Sequence, residues 1–194
     1  MNRRRLLEIG GGTYTTVEYV KCNGVCTIST GVTLGSAITS LETEFGIILR
    51  ENVSSSHVIA ISSPNSCVQI YTNGGRLYNQ SAWCSLSRNV LYDVETLTQD
   101  RKRTFKVNGV TYSDTTTNRP FANSEGIEVV LFSTNSGTMP CTEVFKYFNI
   151  KVNGSYVRKY AFVKDSNSVI HLLDALTNTI YSNSGSGYFS EYNI

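Results

Sequence analysis

A chain of 194 residues is long enough to enclose a full core without metal or disulfide staples, and one domain is its default organisation. Charged residues are only 16% of the chain and the formal net charge is +2; the excess lies in Arg3, Arg4, Arg5, Arg101, Lys102 and Arg103, and outside those six acids outnumber bases. This excludes a broad basic face for nucleic acid, and no apolar run approaches the ~18 residues of a membrane-spanning helix.

Residues 1–12 read as a flexible N-terminal arm, with a solvated Arg3-Arg4-Arg5 start and a hinge at Gly10-Gly11-Gly12. Leu6, Leu7 and Ile9 are too few apolar residues for the core of a signal peptide. Residues 13–194 then read as one folded domain. Thr16 to Val20 is dense in β-branched and aromatic residues, Asn23-Gly24 turns it, and Thr27 to Thr30 returns. Over residues 41–49, Leu41, Thr43, Phe45, Ile47 and Leu49 share one alternating face, with Glu42 and Glu44 opposite.

Strands follow at residues 58–61 and 67–71, the latter closed by Asn73-Gly74-Gly75. Residues 89–97 and 103–107 pair across a basic tip at Arg101, Lys102 and Arg103, and Asn108-Gly109 turns the chain into Val110-Thr111-Tyr112. A polar stretch with Pro120, residues 113–124, reads as a surface loop; Ile127 to Phe132, the most apolar strand, belongs inside a sheet. Residues 143–151 mix two periods: Val144, Phe148 and Lys151 fit a helix, whereas Phe148, Ile150 and Val152 fit a strand, which composition favours. Asn153-Gly154 then turns into residues 156–163. The tail supplies a last hairpin around Leu173-Asp174 and Ile180-Tyr181, then a turn at Asn183, Gly185 and Gly187 suited to positive φ. About a dozen short strands, four Asn-Gly turns and no helix of three turns predict an all-β fold of two antiparallel sheets packed as a sandwich.

Five cysteines, an odd number, leave at least one thiol unpaired. Cys22 and Cys26 flank Asn-Gly-Val and could bridge across a hairpin loop; free thiols in a reducing compartment are the plainer reading. His57 and His171 are remote in sequence from any Cys pair, so no zinc motif is present.

The two ends of this pattern resemble a known family. YTTVEYVKCNGVCTISTGV, residues 14–32, is similar to the opening of phage structural and tail-associated proteins that carry a concanavalin-like (LamG-like) jelly-roll domain: an aromatic, Glu-Tyr, strand–Gly–strand, then Thr-Gly. The close is similar as well, from FNIKVNG (residues 148–154) and Val157-Arg158 through His171-Leu172-Leu173-Asp174 to YSNSGSGYF (residues 181–189). Between the ends, across residues 14–192, only the strand pattern matches. Three positions depart from the family: His171-Leu172-Leu173-Asp174 replaces Gly-Leu-Tyr-Asp, Ile180 replaces a Phe, and no proline follows Arg158. The resemblance implies a jelly-roll sandwich in a non-catalytic virion- or prophage-associated protein, or a bacterial surface relative. Such a protein binds glycans or other virion proteins, with self-association left open. No ligand pattern carries over residue by residue.

Asp93 and Glu95 at i,i+2 put two carboxylates on one strand face, ~7 Å apart, as polysaccharide-cleaving jelly rolls require. The usual third acid is missing, since Thr96, Leu97 and Thr98 follow. Glu42 and Glu44 repeat the spacing, and solvated strand faces explain both pairs. Asp165-Ser166-Asn167 offers oxygens but too few acids for a firm Ca2+ site. No metal or other cofactor is expected. Stacking platforms for a sugar are Trp83, Tyr78, Tyr92 and Tyr112, each in a polar neighbourhood, although Ala82, Cys84 and Leu86 around Trp83 favour a core position for it. The expected function is a structural or adhesion protein with carbohydrate as its candidate ligand; the alternative is a glycoside hydrolase or lyase using Asp93 and Glu95.

Overall fold

The computed structural model describes residues 6–50, 56–60, 68–80, 82–99, 101–114, 121–133 and 141–194. Along the chain run β1 (Leu6–Ile9), β2 (Gly12–Val17), β3 (Val20–Asn23), β4 (Ile28–Thr33), β5 (Leu41–Ile48), β6 (Ser56–Ala60), β7 (Gln69–Asn73), β8 (Arg76–Asn79), β9 (Ala82–Ser85) and β10 (Leu91–Gln99). They are followed by β11 (Lys102–Val107), β12 (Val110–Asp114), a 3-10 turn (Phe121–Ser124), β13 (Glu128–Leu131), β14 (Val144–Val152), β15 (Ser155–Lys164), β16 (Ile170–Asp174), β17 (Thr179–Tyr181) and β18 (Tyr188–Glu191). The larger sheet runs β1-β2-β15-β14-β5-β10-β11-β12, with β16–β17 on the other edge of β15 and β3–β18 beside β14; the smaller runs β4-β13-β6-β7-β8-β9. Every pairing is antiparallel, so hairpin alternation decides what faces inward.

The two sheets close on one core. Phe45, Ile47 and Leu49 point into it, as do Val129, Leu131, Phe148 and Ile150. Phe132 joins Phe145, Phe148, Phe162 and Phe189 in an aromatic cluster with ring centroids 4.9 to 6.5 Å apart. Each such burial contributes roughly 1.5–3 kcal/mol. The mixed period of residues 143–151 has a physical cause: the register with β5 shifts between Phe145 and Phe148, and this bulge places Val144, Phe145 and Phe148 together in the core.

The chain ends meet, as a sandwich with paired terminal strands requires. Phe189 pairs with Cys22 across β18 and β3. Asn183 fastens the tail: its Oδ1 accepts from Thr27 N–H (2.7 Å) and Gly185 N–H (3.0 Å), and its Nδ2 donates to Gly187 O (2.6 Å). Gly185 and Gly187 serve close approach rather than the positive φ expected of them. A Cβ on Gly185 would lie 2.1 Å from Val25 O, and one on Gly187 2.5 Å from Asn23 O. Arg158 joins the sheets, donating from Nε to Thr30 O at 2.7 Å and lying 3.9 Å from the buried Asp174.

Two expectations are corrected. Residues 6–12 are not an arm: β1 pairs with β2 through Gly10 (φ 57) and Gly11 (φ 81), the two positive-φ positions of a tight hairpin turn. Ile9 is thereby buried against Val163 and Leu173 on the outer face of the larger sheet. Residues 1–5, with the Arg run, lie outside the described residues. Arg103 is not part of a solvated tip: alternation turns it inward beside Phe105, fully buried, where its guanidinium donates to Gln99 O and, at 3.1 Å, to Lys102 O. β10 runs to Gln99 and β11 begins at Lys102, so Arg103 lies within a strand. Cys22, Cys26, Cys84 and Cys141 are buried free thiols, while Cys67 lies outside the described residues.

Candidate functional site

The β7–β9 meander ends the smaller sheet. Gly74 and Gly75 form the two-residue turn that pairs Asn73 with Arg76, which fixes Tyr71 opposite Tyr78. The next hairpin places Tyr78 opposite Trp83 and Arg76 opposite Ser85. Ile70, Thr72, Leu77, Asn79, Ala82 and Cys84 are buried on the inner face. By strand alternation Tyr71, Arg76, Tyr78 and Trp83 therefore share the outer face, with Tyr71–Tyr78–Trp83 as one cross-strand row and Arg76 in the next row, between Asn73 and Ser85.

Within that row the Tyr71 and Tyr78 rings stack in parallel, centroids 4.6 Å apart. Burial, then the neighbouring Tyr78, pushes the Tyr71 hydroxyl above its ordinary pKa. The Arg76 guanidinium carbon lies 4.1 Å from the Trp83 ring centroid, a cation–π contact. Trp83 remains 46% exposed because β9 is the last strand of its sheet. Apolar Ala82 and Cys84 favoured a core position for Trp83; the two residues are indeed core, and in a strand that sends the residue between them outward.

The four aromatic candidates do not form one site. Trp83 and Tyr78 are neighbours, whereas Tyr92 and Tyr112 lie on the larger sheet and pack against the core. The Tyr92 hydroxyl accepts from Ser87 N–H at 2.9 Å, and Tyr112 stacks on Phe105 at 5.2 Å. Tyr71, in the row, and Arg76, in the row beside it, are the members of this face that sequence reading missed. Their signal was the Asn73-Gly74-Gly75-Arg76 turn: once its two central residues are set, counting outward gives the 71–78 pair.

The outer face of the larger sheet carries the acidic candidates. Glu44 stands opposite Glu95 in the β5–β10 register, and Asp93 lies one row away opposite Gly46. A groove of about 180 Å³ is lined there by Glu42, Glu44, Glu95, Leu97, Lys106 and Lys151. Most of its charge is internally matched. Lys151 lies 2.5 Å from Glu44 and 4.0 Å from Glu42, and Lys106 lies 3.6 Å from Glu95. Asn149 and Tyr156 also donate to Glu44, at 3.1 and 2.9 Å. Partial burial opposes ionisation of Glu44, but the bonds from Lys151, Asn149 and Tyr156 outweigh it and hold the carboxyl below its usual range. Asp93 accepts the Tyr147 hydroxyl at 3.0 Å; burial and that bond raise the phenol pKa, so it stays protonated. The best-connected acid of the groove is thus held as a carboxylate, the opposite of a proton-donating acid.

The Asp165-Ser166-Asn167 turn is engaged by its own chain. Asp165 Oδ1 accepts from the N–H groups of Asn167 (2.9 Å) and Val169 (2.8 Å), and Oδ2 faces His171 Nε2 at 3.4 Å.

No family model and no curated protein matches the chain. Among solved structures, it is similar to a protein of Bacteroides ovatus ATCC 8483 presented as a candidate carbohydrate-binding protein, with TM-score 0.62 and 12% identity over 92% of this chain and 61% of that one. Weaker likenesses are to the mouse laminin alpha1 chain, domains LG4-5 (TM-score 0.46, 17% identity, 67% of this chain and 42% of that one), and to the alginate lyase AlgAT5 of polysaccharide lyase family 7 (0.39, 14%, 66% and 62%). The chain thus spans between about two fifths and three fifths of these proteins' lengths. At 12% identity the likeness to the Bacteroides ovatus protein concerns architecture alone, and it agrees with the observed strands: the chain is an all-β jelly-roll sandwich of two antiparallel sheets.

Proposed function

We propose that this protein is a non-catalytic carbohydrate-binding module with a structural or adhesive role, and that its contact surface is the outer face of β7–β9. The observation that carries this reading is the Trp83–Tyr78–Tyr71 row, three aromatics held in register on a sheet with Trp83 46% exposed. A pyranose presents apolar C–H faces and a rim of hydroxyls. An open indole meets the first, while Gln69, Asn73 and Ser85 on neighbouring outward positions supply neutral partners for the second. The Bacteroides ovatus likeness supports the same class of ligand. Placement on a phage particle or a bacterial surface, beside other virion proteins, rests on the end motifs of the sequence, and the genes flanking this one test it.

The test of binding is a glycan array followed by affinity electrophoresis, comparing the wild type with Trp83→Ala. Retarded migration that the substitution abolishes supports the reading; binding unchanged in Trp83→Ala removes this face as the site.

The second reading, a hydrolase or lyase using Asp93 and Glu95, is favoured by one observation, the groove that Glu95 shares with Glu42 and Glu44. It requires turnover. Release of reducing ends or unsaturated sugars from a polysaccharide panel, lost in Glu95→Gln, would establish it.

A further inference from the structure

We infer that the sugar bound on the β7–β9 face is anionic, a hexuronate or a sulfated saccharide, and that Arg76 reads its charge. The inference rests on the carbohydrate reading above and adds the ligand's chemical class.

Among the described outward positions of β7, β8 and β9 stand Gln69, Tyr71, Asn73, Arg76, Tyr78, Trp83 and Ser85. Arg76 is the one charged side chain in that set, and no acid accompanies it. It forms no ion pair or hydrogen bond among the described residues; its one contact of that kind is with the Trp83 ring, 4.1 Å away. This differs from the cations of the opposite face, where Lys106 and Lys151 each stand within 4.0 Å of a carboxylate.

A guanidinium over an indole keeps its N–H donors at its own rim, because the π contact uses the flat face and not the hydrogen-bonding edge. The stacking also limits the side chain's rotamers, so less entropy is lost when it meets a ligand. Planar donors of this kind match a carboxylate or sulfate in bidentate fashion. The indole that positions the guanidinium is the exposed member of the platform. A sugar ring stacked near Trp83 therefore brings a ring-borne carboxylate or sulfate ester within reach of Arg76. A neutral sugar would leave the one charge of this face unused.

The test uses polymers matched in backbone. Polygalacturonate is compared with its methyl ester for the carboxylate, and dextran sulfate with dextran for the sulfate. Binding of the full chain is measured for the wild type, Arg76→Gln, Arg76→Lys, Trp83→Ala and the charge-matched control Lys102→Gln, an exposed lysine on the other sheet. One anionic polymer should bind about tenfold more tightly than its neutral partner, and the pair that shows the difference names the anion. Arg76→Gln should erase that difference, Arg76→Lys should keep part of it, Lys102→Gln should leave it intact, and Trp83→Ala should weaken binding throughout. Equal affinity for charged and neutral partners overturns the inference while leaving carbohydrate binding standing. Selectivity that survives Arg76→Gln, or that falls equally in Lys102→Gln, overturns it in favour of general charge attraction. Absence of binding to every polymer, with the glycan array also blank, overturns the carbohydrate reading itself.

Discussion

The outer faces of the two sheets follow one rule and reach opposite results. In both, period-2 alternation and antiparallel register line up residues from neighbouring strands into rows. On the larger sheet the row Asn149–Glu44–Glu95–Lys106 sets two carboxylates opposite each other, but each has its own partner: Lys151 and Asn149 meet Glu44, and Lys106 meets Glu95. On the smaller sheet the row Tyr71–Tyr78–Trp83 ends in an exposed indole with a cation that no described acid meets. A surface whose donors and charges are matched internally gains little from a ligand. One that leaves an aromatic face and a guanidinium edge open has something to offer. The contrast, more than the presence of acids or aromatics as such, separates the two candidate sites.

The largest expected effect comes from removing the open element. Trp83→Ala should weaken glycan binding about 30-fold, as truncation of a central interface aromatic does. Its thermal midpoint should stay within the small range of surface substitutions, about 0.5 kcal/mol in stability. A variant that loses binding only because it unfolds would break the comparison, and a melting curve distinguishes the two.

Next in size is a probe of how tightly the larger sheet's outer face is filled. A Cβ on Gly46 would stand 3.0 Å from Lys146 Cβ and 3.2 Å from Tyr147 Cε1. Gly46→Ala should therefore destabilise the fold by about 1–3 kcal/mol through overpacking, read from urea unfolding, with glycan binding by the folded protein unchanged. An unaltered midpoint would show that Tyr147 is freer than its bond to Asp93 indicates.

A smaller effect is expected at Lys151. Its removal in Lys151→Met should cost about 0.5–1 kcal/mol at pH 7, because the Glu44 pair is partly screened by solvent. The pH dependence has a definite sign. The folded-state pKa of Glu44 is lowered, so its stabilisation is present above the unfolded value of ~4.3 and is lost as pH falls through the folded value. Lys151 is raised, chiefly by its hydrogen bond to Glu44, so its contribution holds below ~10.4 and is lost as pH rises through the folded value. The gap between wild type and Lys151→Met should narrow as pH is lowered from ~7 to ~2. A gap that stays constant would mean the lysine acts by packing alone. The smallest effect belongs to Glu95→Gln, whose half-exposed pair with Lys106 should leave both stability and glycan binding nearly unchanged.

Much of the sandwich was legible because the relevant signals are local. Asn108-Gly109 (φ 47, 83) and Asn153-Gly154 (φ 49, 79) adopt the positive-φ pairs that such dipeptides favour in hairpin turns, and alternation over residues 41–49 gave the inward face directly. The β14 bulge was hidden because a register shift mimics helical spacing over one turn. The β1–β2 hairpin was hidden because Gly-Gly suits a tight turn as well as a hinge, and the outer-face cover that buries Ile9 comes from Val163 and Leu173, far along the chain. Arg103 was misplaced because a run of three basic residues outweighed its parity with Phe105. For the site, Trp83 and Tyr78 were identified individually. Their partnership with Tyr71 and Arg76 required counting register through two turns, which residue-by-residue polarity does not do.

The chain contains one tryptophan, and that makes the central claim directly measurable. The indole Nε1–H of Trp83 gives a single resonance in a ¹H–¹⁵N spectrum, to be followed while a binding glycan is titrated. The account predicts that this peak and the backbone amides of β7, β8 and β9 shift together and saturate with the bound fraction. Saturable binding that leaves the indole peak unmoved, while amides of β5, β10 and β11 around Glu44 and Glu95 shift, would contradict it and transfer the site to the opposite face.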